Sequence, residues 1–322
     1  MCLDAPLKKV VSSMSFASFS PRPLLLTASA LLSACGGGFA GNTGGGGLGP
    51  GQPTQNQDLS NLVVSQSFET ASVAIVGNLA VGTGTPTSFS TAQADFGTQV
   101  QLDYDAGDDS YTVSINQGGI SRTETFGPGD IDAAASSNVF TGYTRGDQIF
   151  ALLRPDNPTQ PLSFVGYGAW QESTTQGASV LFQTAFFTYG ILTAANDIPR
   201  QDSAQYSGFV DGFWNPGDGL HVLSGTANFD ANFGNNLISG TLVMSGESIT
   251  DASVRAFGTF DAVGTISASE NEFSGTLQNR VSATNTGFFD GAFFGPNAEE
   301  LGGSFRLTGF GEAAGVFVGA SN

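Results

Sequence analysis

The sequence predicts an all-β protein whose C-terminal part forms an eight-stranded antiparallel β-barrel, preceded by a smaller strand-rich domain. Three observations support this prediction. The 322 residues include 45 glycines and 27 phenylalanines, and only 12% of residues are charged. Short runs alternate between apolar and polar residues at the period of two that is typical of strands. Clusters of Gly, Asn and Asp separate these runs and suit turns.

The N-terminal residues 1–34 are predicted to be the signal peptide of a lipoprotein. The apolar run at 24–32 follows a basic residue and is too short to span a bilayer, as in a secretory signal. It ends in Leu-Ser-Ala before Cys35, and a cysteine after small residues is typical of the site at which bacterial lipoproteins are lipidated. We therefore expect lipidation at Cys35, with an ordinary signal peptide as the alternative. Met1 and Met14 are both candidate start sites.

Residues 35–60 are rich in glycine and predict a flexible tether. The alternative is a phosphate-binding loop, which needs a preceding strand, a following helix and usually a lysine. Both lysines of the chain, Lys8 and Lys9, precede this segment, so the tether is the better interpretation.

The charge of the chain restricts its partners. A formal net charge of −18 repels phosphate backbones, so nucleic acid is not expected as a partner. The chain has no polybasic patch for anionic lipids, so membrane contact is expected through the lipid anchor only. An acidic surface favours a basic partner instead. Cys2 and Cys35 are the two cysteines, which excludes a disulfide framework in the folded part.

The middle region, residues 61–202, is predicted to form the smaller β domain. Val100–Tyr104 and Ser110–Ile115 alternate around an acidic turn at 105–109, which predicts a hairpin. The aspartates of this turn could suggest a calcium loop, but their spacing does not match an EF-hand, so a solvated turn is favoured.

Two later runs of the middle region, Leu162–Trp170 and Val180–Leu192, are apolar almost throughout. Such runs predict strands that are buried on both faces or packed against a neighbouring element. Trp170 is therefore expected in a core, with a surface pair of Tyr167 and Trp170 as the alternative.

The C-terminal region, residues 203–322, contains eight strand-like runs. Their connectors are short, so neighbours should pair antiparallel, and closure into a barrel would remove the exposed edges. The runs are Gln205–Phe213, Leu220–Ala231, Leu237–Met244, Ala252–Ile266, Glu272–Gln278, Thr286–Phe294, Gly303–Gly309 and Gly315–Ala320. An eight-stranded interior holds packed side chains or one small ligand. The expected filling is Phe229, Phe233, Phe260, Phe273, Phe293, Phe305 and Phe317.

A membrane-spanning barrel is the rival architecture. It requires an outward apolar band with aromatic girdles at both membrane interfaces. The outward positions of these strands are largely Ser, Thr, Asn, Asp and Gly, so we favour a barrel outside the membrane.

Catalysis and metal binding are not expected. His221 is the only histidine, so neither a Ser-His-Asp or Cys-His catalytic site nor a multi-histidine metal site is indicated. The predicted hairpin Gly287–Phe305 carries Glu299 and Glu300 at its turn, but adjacent carboxylates rarely reach one substrate at the separation that glycoside hydrolysis needs. We expect Phe289 or Phe293 inside the barrel and both glutamates in water.

A binding site is predicted at the loop between the first two barrel strands, residues 213–219. Phe213 and Trp214 are expected to form an exposed aromatic pair that contacts a partner. His221 lies at the far end of this loop and is a candidate partner contact or axial haem ligand, with an ordinary surface histidine as the alternative.

Residues 291–305, GAFFGPNAEELGGSF, resemble the signature of the barrel domain in the transferrin-binding protein B family of surface lipoproteins. Gly315–Ala320 is similar to that family's last strand, and residues 197–208 resemble its junction between a handle domain and a barrel. The resemblance implies a handle-like domain at 61–202 and the barrel at 203–322. Transferrin-binding protein B has two such lobes, whereas this chain has the length of one.

The resemblance also implies a function. It is that of a binding protein rather than an enzyme, lipid-anchored in the outer membrane of a Gram-negative bacterium and exposed at the cell surface. Such a protein would capture an iron carrier, haem or another solute for a TonB-dependent outer-membrane receptor, with haem as a ligand and no cofactor of its own. The alternative is a structural, adhesive or host-factor-binding surface lipoprotein with no solute, which the tightly filled barrel favours.

Overall fold

The computed structural model describes residues 55–322, so the predicted signal peptide, Cys35 and most of the predicted tether lie outside the described residues. Asn56 and Leu59, at the end of the predicted tether, are buried. The Asn56 side-chain oxygen accepts hydrogen bonds from the backbone N–H groups of Val63 and Val64 at 2.7 and 3.0 Å. The packed part of the chain therefore includes Asn56. Within 55–322, no helix is long and apolar enough to cross a membrane.

The described residues form 18 strands, of which the first ten build two antiparallel sheets. These strands are β1 Gln66–Glu69, β2 Ala71–Ala80, β3 Pro86–Gln93, β4 Val100–Asp105, β5 Ser110–Gln117, β6 Ile120–Phe126, β7 Phe140–Arg145, β8 Gln148–Leu153, β9 Val165–Gln176 and β10 Ser179–Gly190. The four-stranded sheet has the order β1-β4-β5-β6, and the six-stranded sheet has the order β3-β2-β10-β9-β8-β7. We call these two sheets together the handle. The predicted hairpin is the β4–β5 pair.

The two handle sheets pack face to face over an aromatic core. Trp170, Phe187 and Phe150 of the six-stranded sheet meet Phe126 of the four-stranded sheet, and the Phe126 and Phe150 rings stack at 4.8 Å. The expectation that Trp170 fills a core is confirmed, because its side chain is fully buried. The alternating apolar side chains of each sheet face the other sheet, as sheet packing requires.

The last eight strands form a closed antiparallel barrel, as predicted. They are β11 Ser203–Asn215, β12 His221–Asn232, β13 Leu237–Ser248, β14 Val254–Ile266, β15 Glu272–Asn279, β16 Thr286–Phe294, β17 Glu300–Gly309 and β18 Gly311–Ser321. Each strand pairs with its neighbours in the chain, and β18 pairs with β11 to close the barrel. The predicted hairpin of β16 and β17 is present, with a short 3-10 turn at Pro296–Ala298 between the two strands.

Phenylalanine rings fill the barrel interior. All seven expected phenylalanines, Phe293 among them, belong to one buried core, and Phe289 joins them. The rings of Phe229 and Phe317 are 4.9 Å apart, and those of Phe273 and Phe293 are 5.0 Å apart. Burial of each such ring stabilises the fold by roughly 2–3 kcal/mol. The interior is therefore a packed core.

Glycine makes this packing fit. Gly240 is paired with Phe229 across β12 and β13, and a Cβ at Gly240 would lie 2.6 Å from the Phe229 ring. Gly275 is paired with Phe289 in the same way, with a corresponding distance of 2.7 Å. A phenyl ring lies over a glycine on the neighbouring strand in both pairs, which explains why the chain is rich in both residues.

The six-stranded sheet also packs on the outer wall of the barrel. Phe182, Phe186 and Tyr167 of the sheet share a buried cluster with Phe213 and Val316 of the barrel. The six-stranded sheet is thus the middle of three layers, between the four-stranded sheet and the barrel. This placement confirms burial on both faces for residues 165–171 of β9 and 184–190 of β10.

Candidate functional site

Four hairpin connections meet at one end of the barrel, which we call the loop end. They are residues 216–220, 249–253, 280–285 and the single residue Phe310. The backbone N–H of Phe310 donates to the Asn285 side-chain oxygen at 2.7 Å, which ties two of these connections together. The loop end contains the site that the sequence predicts around Trp214.

Trp214 lies inside the loop end. Its indole stacks on Phe257 with ring centroids 4.5 Å apart, and its Nε1–H donates to the Phe310 carbonyl at 3.0 Å. Only 1% of Trp214 is exposed. The Trp214 indole, with its N–H bonded and its ring covered, closes the barrel core at this end. We call Trp214 the plug.

His221 packs beside this plug. Its ring centroid is 5.1 Å from that of Trp214, and its Nδ1 is 3.2 Å from the Gly219 carbonyl oxygen. The residue is 4% exposed. Axial haem ligation by His221 would therefore require its ring to leave Trp214.

The expected exposure of Phe213 and Trp214 is wrong. Strand β11 continues to Asn215, so the pair belongs to a strand rather than a loop. Successive strand residues point to opposite faces. Trp214 points into the barrel core, and Phe213 points outward against Phe186 of the handle at 5.5 Å. Both faces of β11 are covered, and the direct partner contacts predicted for the pair do not fit this geometry.

Residues around the plug supply the accessible surface of the loop end. The Arg255 guanidinium lies 5.6 Å from the Trp214 ring centroid and makes two 2.9 Å hydrogen bonds to the Asp218 carboxylate. Phe310 is 54% exposed, and Val254 and Val281 are also exposed. The exposed apolar side chains and the Arg255–Asp218 ion pair at this end suit contact with a protein surface.

Sequence reasoning missed Phe310, although a signal was present. Phe310 stands between Gly309 and Gly311, which have φ angles of 126° and 81°. Positive φ values of this kind are typical of glycine in a tight hairpin turn. An aromatic residue flanked by two such glycines is held at the tip of the turn, where the Phe310 ring lies 5.9 Å from that of Trp214 and stays half exposed.

Glu300 connects the barrel to the handle at the end opposite the loop end. Its carboxylate accepts three backbone N–H hydrogen bonds, from Ser163, Phe164 and Val165, at 2.7 to 2.8 Å. Desolvation raises the pKa of Glu300, and the three N–H donors oppose that rise. The prediction that Glu300 lies in water is wrong, because β17 begins at Glu300 and the handle covers this residue. Glu299 is exposed as predicted.

A second polar contact joins the handle edge to the barrel wall. The Gln93 amide donates to Asp290 Oδ1 at 2.9 Å and to the Ser304 hydroxyl oxygen at 3.1 Å. The Ser304 hydroxyl donates to the same Asp290 oxygen at 2.7 Å. Desolvation raises the pKa of Asp290 to about 6, even though both donors favour its ionised form. Sequence patterns gave no signal for this cluster, since its members are 14 to 211 positions apart.

The site contains no arrangement suited to metal chemistry. No group of three or more His, Cys, Asp or Glu side chains among residues 55–322 could hold a metal ion. What the loop end offers is a surface that can bind, with Phe310, Arg255 and the exposed valines around a rigid plug.

Comparisons with known proteins agree with this architecture. A family model described as the C-lobe and N-lobe beta barrels of Tf-binding protein B matches residues 198–321. Transferrin-binding protein B of Haemophilus influenzae is 29% identical over 162 residues, which are 46% of this chain and 26% of that protein. The chain therefore spans about a quarter of the length of this curated relative. The predicted resemblance to the transferrin-binding protein B family is confirmed.

Several solved structures also resemble the chain at low sequence identity. Isotype 1 transferrin binding protein B from serogroup B Neisseria meningitidis is 14% identical with a TM-score of 0.40, covering 80% of this chain and 77% of that one. The haemoglobin receptor HpuA from Kingella denitrificans is 12% identical with a TM-score of 0.37, covering 84% and 89%. The N-lobe of lactoferrin binding protein B from Moraxella bovis is 17% identical with a TM-score of 0.35, covering 49% and 76%.

Proposed function

We propose that this chain, whose barrel domain is similar to the barrels of transferrin-binding protein B, is a surface binding protein that captures a host iron-carrying protein. The contact surface in this proposal is the loop end of the barrel. The family match over residues 198–321 carries the proposal, because it covers the whole barrel together with its loop end.

The filled barrel supports a macromolecular ligand over a small one. Eight-stranded barrels that bind small ligands hold them in the interior. Here the interior positions are taken by phenylalanine rings in mutual contact, such as Phe229 and Phe317. Binding therefore falls to the outer surface, where Phe310 and Val281 are exposed at the loop end.

The anchor, the location and the transport partner complete the proposal. A lipid on Cys35 would hold the protein in the outer membrane of a Gram-negative bacterium, facing the medium. A TonB-dependent receptor would take over the iron-bearing cargo. The protein acts by binding in this proposal, and it is not an enzyme.

A matched pair of phenylalanine variants tests the proposed surface. Phe310 is 54% exposed at the loop end, and Phe288 is 63% exposed on the barrel wall. Binding of the full chain to immobilised transferrin, lactoferrin and haemoglobin is measured by surface plasmon resonance. We expect one of the three to bind, and Phe310→Ala to weaken that binding about tenfold or more, as loss of an aromatic anchor does. Phe288→Ala should leave the affinity unchanged.

Two results would contradict the proposal. Absence of binding to all three carriers removes iron-carrier capture and favours the structural or adhesive alternative, which the closely packed barrel also permits. Equal losses for Phe310→Ala and Phe288→Ala, with binding retained in the parent, place the contact somewhere other than the loop end.

A further inference from the structure

Strand β3 is an edge strand with an unpaired side. It lies at one end of the six-stranded sheet and pairs with β2 only. Its eight residues, Pro86–Gln93, read PTSFSTAQ and contain no charged residue. Natural proteins usually protect edge strands with charges, with proline or with a covering segment, because an unpaired edge is a template for another strand.

The other long edges of the handle are protected. Strand β7 is covered by a bridge between Ile131 and Tyr143 and by the backbone bond from Asp132 to Gly142. Strand β6 carries Arg122 and Glu124. Arg145 donates to the Thr125 carbonyl of the same strand. Strand β3 has no charged residue, and its single proline stands at its first residue. The rest of its edge is therefore protected by neither means.

The pairing of β3 shows which backbone groups face outward. The Ala94 N–H donates to the Ser72 carbonyl on the β2 side at 3.3 Å. Antiparallel pairing alternates, so residues at even spacing from Ala94 also point to β2. Phe89 and Thr91 lie at odd spacing and direct their N–H and C=O groups away from β2. None of the backbone hydrogen bonds within residues 55–322 outside regular pairing uses these two residues.

An open groove of about 460 Å³ runs beside this edge. Residues 86–89 form one wall, and the barrel connection at 215–217 with Thr308 and Glu312 forms the other. Thr91 closes the inner end of the groove, since its hydroxyl donates to Glu312 at 2.9 Å and accepts from Arg306 at 2.7 Å. The groove therefore lies along the half of β3 that the barrel leaves accessible.

The charge of the groove indicates its occupant. Glu312 forms none of the four ion pairs among the described residues; its carboxylate is half-buried at the groove wall and is linked to the Arg306 guanidinium only through the Thr91 hydroxyl. The chain as a whole carries a formal net charge of −18. A strand that adds to β3 gains backbone hydrogen bonds from the edge and specificity from alternate side chains. A cationic side chain on that strand would match Glu312.

We propose that β3 binds an extended segment of a protein partner by strand addition, with a lysine or arginine of that segment beside Glu312. This site adjoins the loop end, since residues 216–217 line the groove, but it does not depend on capture of an iron carrier. It gives the protein a second contact with a protein partner, formed by backbone hydrogen bonds to β3 and by one ion pair with Glu312.

Synthetic peptides test the strand addition. The probe is a ten-residue peptide of alternating threonine and valine with two lysines, added to the full chain. We expect micromolar binding and slower amide hydrogen exchange at Phe89, on the accessible half of β3. Methylation of successive backbone nitrogens of the peptide should weaken binding about fivefold or more at alternate positions only, since each affected N–H makes one hydrogen bond. An even loss along the peptide, or no binding, overturns the proposal.

A charge variant tests the assigned partner of the cation. Glu312→Gln keeps an acceptor for Thr91 and removes the charge. We expect about threefold or greater weakening and a flatter dependence on salt concentration. Glu299→Gln is the matched control, because Glu299 is exposed at the opposite end of the barrel. Equal effects of the two variants would assign the attraction to the net charge of the protein and refute the role of Glu312.

Discussion

The barrel interior and the handle–barrel interface are both buried, but they are built from different chemistry. The interior is an unbroken set of aromatic and aliphatic side chains, with Phe229, Phe273 and Phe317 at its centre. The interface mixes rings such as Phe186 and Phe213 with carboxyl groups and hydroxyls. The Thr184 and Thr188 hydroxyls are buried on the handle sheet without a hydrogen-bond partner among the described residues.

This difference indicates that the two regions have different tasks. Apolar packing contributes free energy in proportion to the area buried, so it supplies most of the stability of the barrel. Buried polar groups cost free energy unless they are paired, and pairing fixes one geometry. Glu300 and Asp290 therefore specify how the handle sits on the barrel, at a cost in stability that the apolar interior offsets.

The largest expected effect comes from opening a cavity in the interior. Phe273→Ala removes a ring that contacts Phe229, Phe289, Phe293 and Phe317. We expect the free energy of unfolding to fall by about 4 kcal/mol, as for other buried phenylalanines. Chemical denaturation measures the loss. Phe288→Ala, on the outer wall, should change stability by less than about 0.5 kcal/mol. Similar losses in the two variants would mean that the interior is not the main source of stability.

The next largest effect concerns whether the handle and the barrel unfold together. Glu300→Ala removes the acceptor of three backbone N–H groups, and we expect a loss of about 3 kcal/mol. Trp170 lies in the handle core and Trp214 in the barrel core, so each reports on its own domain. Fluorescence in Trp214→Phe and Trp170→Phe backgrounds should give coincident unfolding midpoints for the parent and an earlier Trp170 midpoint for Glu300→Ala.

Glu299→Ala is the control for this separation. Glu299 is the neighbouring residue and is exposed, so its removal should leave the two midpoints together. Coincident midpoints in Glu300→Ala would show that the interface does not depend on this carboxylate.

The sequence was sufficient to predict the barrel because its determinants are local and periodic. Alternation placed Phe289 and Phe293 on the inward face, and short connectors implied antiparallel neighbours. The burial of residues 165–171 of β9 and 184–190 of β10 followed from the apolar runs that contain them. Each of these predictions depends on which residues are neighbours in one strand, and a single sequence contains that information.

The same reasoning failed where burial is decided by a distant part of the chain. Glu300 is adjacent to exposed Glu299, and it is buried because residues 163–165 cover it. Trp214 looked like a loop residue because the turn-forming sequence Asn-Pro-Gly follows it directly. The pattern gave no measure of how far β11 extends, and the handle that covers Phe213 lies many residues earlier. The sequence predicted Trp214 as the exposed aromatic residue of this end, whereas in the structure that residue is Phe310.

The smallest effect is a pH dependence that the interface has and the interior lacks. Asp290 has a folded pKa of about 6, raised by desolvation, with Asp95 and Glu272 adding to the rise. The pKa of an unfolded aspartate is about 3.9. The folded state therefore holds the proton more tightly, so the contribution of Asp290 to stability is complete below about pH 4 and is lost as pH rises through 6.

Asp290→Asn should remove this loss. Asparagine stays neutral and keeps an oxygen that accepts from Gln93 and Ser304. We expect the variant to match the parent near pH 4 and to exceed its stability by about 2 kcal/mol at pH 7.5, in denaturation measured across that range. Asp251 provides the opposite case, because hydrogen bonds from Ser253 lower its pKa to about 2. Asp251→Asn should therefore be less stable than the parent at and above about pH 4, and this difference should shrink as pH falls towards 2. If Asp290→Asn instead proves less stable than the parent at pH 7.5, the charge of Asp290 contributes to the interface, and the polar contacts there stabilise it as well as fix its geometry.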